Sequence, residues 1–82
     1  MNNDLKKKVL EMKDKLKRGD MARIVERTEK FGVQKYDVYN IMNAKSLADH
    51  QKLIIVLREA KRCIDNNERE LKEFERQIEN EF

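Results

Sequence analysis

Thirty-five consecutive residues, 47–81, contain neither proline nor glycine and carry apolar side chains at spacings of three and four. In a helix interior glycine costs about 1 kcal/mol and proline about 3 kcal/mol relative to alanine, so nothing in this stretch stops a helix. At 1.5 Å per residue it would run about 50 Å. Ser46 followed by Asp49 is a capping-box-like start for it. The rest of the chain has to pack around this helix. Proline is absent from all 82 residues, and the two glycines stand at 19 and 32. A chain rich in Lys, Glu, Arg and Leu with so few breakers favours helices over strands and tight turns.

The two glycines divide the first half into three more helical segments. The first, about 4–18, has Leu5, Val9, Met12 and Leu16 on one stripe, with Asn3 as its cap and Gly19 as its left-handed stop. The second, about 20–30, is expected to be capped by Asp20. It turns Met21, Ile24, Val25 and Thr28 inward and ends on Phe31 as an apolar plug. The third, about 34–43, has Val38, Ile41 and Met42 on one face, a Val33–Val38 staple across its start, and Asp37 favouring its dipole. The expected fold is an all-α small bundle closed by the long C-terminal helix, about 47–81, in a single domain. At this length only about 60–65% of the chain's surface can be buried.

The long helix changes character along its length. Leu53, Ile54, Ile55, Val56, Leu57 and Ala60 are dense enough to roof a core. Beyond them a single seam remains: Leu57, Ala60, Ile64, Asn67, Leu71, Phe74 and Ile78 alternate at three and four, a heptad pattern with one Asn in it. The body is too short to cover the whole helix, so residues 1–60 read as the core and 61–82 as a projecting amphipathic segment. Burying an apolar side chain is worth about 1.5–3 kcal/mol, which favours association. A homodimer through Ile64, Asn67, Leu71, Phe74 and Ile78 is the expectation, with Asn67 fixing register. The competing arrangement has the first helix folded back along the same seam.

Net charge is +3, unevenly spread. Residues 1–62 hold 16 Lys/Arg against 9 Asp/Glu, and residues 63–82 hold 3 against 7. A basic body with an acidic tail suits a polyanionic partner, although charge at this density also serves simply to keep a helical protein in solution. Catalysis has little to stand on. His50 is the only histidine and Cys63 the only cysteine; neither has metal-ligand spacing or a phosphate-binding glycine loop near it. The expectation is no enzyme, no cofactor, no metal and no small-molecule ligand. The longest apolar run, 53–57, is far below the roughly 20 residues that span a bilayer, and no apolar segment follows the N-terminal lysines. A cytoplasmic location away from the membrane is expected.

Residues 20–45 carry one further pattern. Ile24-Val25-Glu26-Arg27-Thr28 is followed by Gly32-Val33, then by Val38 and Ile41 five and eight positions after Val33, then by Asn43-Ala44-Lys45. This resembles the helix-turn-helix of lambda-repressor-like and lac-repressor-type regulators, in which Asn-Gly-Lys often follows the recognition helix. Two positions differ. The small residue of the first helix normally lies four before the turn glycine, whereas Val25 lies seven before Gly32, as though Glu29-Lys30-Phe31 were inserted; and Val25 is larger than the usual Ala. The resemblance implies double-stranded DNA as partner, with the third helix in the major groove. Gln34, Lys35, Tyr36, Tyr39 and Asn40 would then face the bases, where Gln and Asn suit adenine and Lys suits guanine. Arg23, Arg27, Lys30 and Lys45 would flank them on phosphates, which fix position without reading sequence. The function implied is that of a small sequence-specific transcriptional regulator of bacterial or phage type. The alternative from a different class is a helical protein–protein interaction module, such as a phage or mobile-element accessory protein, without DNA binding.

Overall fold

The computed structural model describes residues 3–81. They form α1 (Asn3–Lys15), α2 (Asp20–Thr28), a 3-10 turn (Glu29–Phe31), α3 (Lys35–Met42) and α4 (His50–Glu81), with no strand among the described residues. The all-α small bundle with a long final helix is therefore the architecture, 50 × 29 × 17 Å in extent. The first three helices pack against the N-terminal half of α4. Val9, Ile24, Val33, Val38, Met42, Val56 and Ala60 are sealed from solvent at the centre, with Leu5, Met12, Leu16, Val25 and Leu57 half-buried around them. No helix among the described residues is long and apolar enough to cross a membrane.

Several helix ends differ from expectation, and the largest differences have local reasons. α1 stops at Lys15, not 18. The Leu16 N–H donates to the Lys13 carbonyl at 3.1 Å, and residues 17–20 form a turn closed by the Asp20 N–H on the Lys17 carbonyl at 3.0 Å. Gly19 takes φ +92° within it, which glycine adopts without strain. Asp20 is not the cap of α2. Its carboxylate accepts from the Lys17 N–H at 2.8 Å and from the Asn67 side-chain amide of α4 at 2.9 Å, so it fastens the turn to the long helix. α4 starts at His50, not 47, because Asp49 is the cap: its carboxylate accepts the Lys52 N–H at 3.1 Å.

The connection between α2 and α3 accounts for the three residues that broke the sequence pattern. Glu29-Lys30-Phe31 form the single 3-10 turn, and Gly32 at φ +83° redirects the chain into α3. Phe31 is not a plug, since it is 57% exposed. Thr28 is buried in its place, its hydroxyl donating to the Ile24 carbonyl at 2.8 Å. Val33 and Val38 are both buried, as a staple across the start of α3 requires. At the other end of α3, the Ala44 N–H donates to the Ile41 carbonyl at 2.9 Å and the Lys45 N–H to the Asn40 carbonyl at 2.8 Å. This is a Schellman closure with Ala44 in the left-handed position, φ +58°, where glycine would sit more easily.

The seam of α4 divides in two. Leu53, Val56, Ala60, Cys63 and Ile64 are buried within the chain's own core, and the Asn67 amide is held by Asp20. Ile64 and Asn67 are therefore engaged inside the chain, contrary to their expected place in a dimer seam. Leu71 and Phe74 are more than half exposed, and every residue from 68 to 80 lies open to solvent, so α1 does not fold back along them.

Candidate nucleic-acid interface

α3 positions the residues expected to face bases. Its Val38, Ile41 and Met42 are locked into the core, which fixes the helix both in place and in rotation. Lys35, Tyr36 and Tyr39 are exposed and Asn40 half-exposed on the opposite side. Tyr36, at 64%, is the most exposed aromatic of the described residues. The Lys35 ammonium lies 6.0 Å from the centre of the Tyr39 ring, a cation–π spacing that keeps both at the surface. Gln34 is exposed at the N-cap, where its N–H donates to the Asp37 carboxylate at 3.0 Å. The five candidates thus share one helix and its first cap.

Asp37, whose charge would oppose a polyanion, is taken out of that face. Its carboxylate turns toward α4 and accepts from the Lys52 ammonium at 3.1 Å. The Gln34 N–H, followed by the Lys52 contact, holds the Asp37 carboxyl below its usual pKa despite partial desolvation. The same hydrogen bond raises the Lys52 pKa, so the pair is ionised together at neutral pH. Lys52 does not appear among the expected site residues, because its partner lies 15 positions away on another helix. No local spacing reveals it.

The four expected phosphate ligands have different surroundings. Arg23 and Lys45 are exposed. Lys30 stands 5.3 Å from the centre of the Phe31 ring. Arg27 is partly committed, since its guanidinium lies 3.7 Å from the carboxylate of Glu59, a residue of α4 that is only 8% exposed and also pairs with Arg62 at 3.4 Å. Arg58 and Arg62 border the same hollow as Lys30 and Phe31, and so extend the basic surface onto α4. Their i,i+4 spacing on the last helix is the signal that could have identified them. Arg27 and Arg62 share the carboxylate of Glu59, so this cluster is less positive than its arginine count suggests.

Burial first, and then the charge of Asp20, push the Cys63 thiol above its ordinary pKa, which makes it a poor nucleophile. Among the described residues no group of three or more His, Cys, Asp or Glu could hold a metal ion. No protein-family model matches the chain, and no curated protein or solved structure is significantly similar to it.

Proposed function

We propose that the protein is a sequence-specific DNA-binding protein, a small regulator of bacterial or phage type, dimeric through its C-terminal helix. α3 lies in the major groove with Lys35, Tyr36, Tyr39 and Asn40 toward the bases. The observation that carries this reading is the division of α3: one face is wholly buried, the other is exposed and carries a Lys, two Tyr and an Asn, and its only acidic residue is paired with Lys52. A helix held this firmly presents its outer face at one angle, which direct readout needs. Arg23, Lys30 and Lys45, joined by Arg58 and Arg62, supply the cations that would sit on phosphates.

Selection from a randomised duplex library followed by sequencing tests the reading. The expected result is an enriched motif whose binding falls by roughly 0.9 log units per log unit of salt for each phosphate contacted. Lys35→Ala together with Tyr39→Ala removes the motif preference, with each lost base contact costing about 1–3 kcal/mol of discrimination. Absence of enrichment at low salt would overturn the reading and favour the protein–protein module instead.

A further inference from the structure

Two exposed apolar surfaces lie at opposite ends of α4. At its N-terminal end, Leu5 of α1, Leu47 of the loop and Ile54 of α4 help to wall a groove of about 760 Å³, within the range of sites that hold a buried guest. Among the described residues the lining includes Lys6, Lys45 and His50, and no carboxylate. At the C-terminal end, Leu71, Phe74 and Ile78 form a strip that none of the other described helices covers.

The charges beside that strip bear on what can cover it. In the heptad register of α4, Glu68 and Glu75 take the e positions and Glu70 a g position, directly bordering the strip, whereas Arg69, Lys72 and Arg76 fall on the far side. Two tails laid against each other would set glutamates against glutamates, whether parallel or antiparallel, and like charges across a seam oppose pairing. The groove at the other end of the molecule is its complement, apolar within and bordered by the ammonium groups of Lys6 and Lys45. A chain cannot fill its own groove, because Phe74 lies twenty residues beyond Ile54 on one continuous helix, about 30 Å away.

We propose that the acidic strip Leu71–Phe74–Ile78 of one chain docks in the basic apolar groove of a second copy, and that reciprocal exchange closes a two-fold dimer. This rests on the dimeric part of the reading above and refines how that dimer is made. It does not depend on DNA binding.

Sedimentation of the DNA-free full chain tests it, with circular dichroism confirming that each variant is folded. Wild type is expected to dimerise at about 50 mM salt and to weaken several-fold at about 500 mM, since opposite charges meet across the contact. Phe74→Asp on the strip and Ile54→Asp in the groove each change an exposed residue, and each is expected to give a monomer. Their equimolar mixture recovers a dimer, because one variant keeps a sound groove and the other a sound strip. Lys6→Glu is a milder groove variant that weakens the dimer without altering its apolar lining, and it serves if Ile54→Asp does not fold. A dimer indifferent to both groove variants, or one strengthened by salt, would overturn the exchange in favour of tail-on-tail pairing. A wild type monomeric at every salt concentration up to millimolar protein would overturn the dimer in any form.

Discussion

The two halves of α4 share one helix, one apolar seam and one heptad register, and they meet opposite fates. Up to Asn67 the seam is taken up by the chain's own core and by Asp20; beyond it the same spacing leaves Leu71, Phe74 and Ile78 in solvent. The difference lies in what the rest of the chain can reach. α1, α2 and α3 together cover little more than half of a 32-residue helix. The first half is thus held by tertiary packing, whereas the second, exposed throughout residues 68 to 80, has only its helix propensity to hold it. Periodicity tells that a face wants cover. It does not tell who supplies it.

The sharpest way to break this comparison is to make one substitution in both halves. Leu53→Ala removes a buried side chain from the anchored half and is expected to cost about 2–5 kcal/mol in equilibrium urea unfolding. That is a large part of the stability of a domain this size. A cost near zero would mean that the two halves are equally free of the core.

Where the halves meet, Asn67→Ala should cost about 1–2 kcal/mol, because it removes one of the hydrogen bonds satisfying the buried Asp20 carboxylate. A pH signature accompanies it. Burial alone would raise the Asp20 pKa, but the hydrogen bonds from Asn67 and the Lys17 backbone, with the charges of Arg23 and Lys17, bring it below 3.8. A carboxyl depressed in the folded state stabilises the fold above its unfolded pKa, and that contribution is lost as pH falls through the folded value. Wild type should therefore lose more stability than Asn67→Ala between about pH 5 and about pH 2. Parallel acid limbs would show that Asn67 does not tie the anchored half down.

The loop that leads into the anchored half offers a smaller effect of opposite sign. Ala44 sits at φ +58°, a conformation that costs an L-residue roughly 1–2 kcal/mol. Ala44→Gly should relieve it and raise stability by about 0.5–1 kcal/mol, after the extra freedom glycine gives the unfolded chain. A thermal melt showing destabilisation would mean that the alanine methyl packs more than it strains.

These positions also show what the sequence could and could not disclose. Helix number, the inward faces of α2 and α3 and the left-handed Gly19 were legible, because periodicity and turn chemistry act over a few residues. That Gln34, Lys35, Tyr36 and Tyr39 lie at the surface, with Asn40 half-exposed beside them, was legible for the same reason: they share one short helix and its cap. Legibility ended where partners are distant in sequence. Asp20 reads as a cap until Asn67, 47 positions away, is brought beside it. Asp37 reads only as a charge favouring the α3 dipole until Lys52, 15 positions away, is brought beside it. Glu29-Lys30-Phe31 read as an insertion, since three residues are too few to show the 3-10 period that they adopt.

The smallest expected effect is the other arm of the paired substitution, and it carries the most information about the projecting half. Leu71 is exposed in the chain, so Leu71→Ala removes no buried contact and alanine is if anything the better helix former. In dilute protein the change in unfolding free energy should stay within about 0.5 kcal/mol. A partner copy that covers Leu71 adds to stability by mass action, so wild type should gain stability with protein concentration while Leu71→Ala gains less. Denaturation of both proteins at micromolar and millimolar concentration separates the two contributions. A gap between them that opens only at high concentration means that the strip is buried by association. A gap of equal size at both concentrations would mean that the chain covers Leu71 itself, and the contrast between the two halves of α4 would fail.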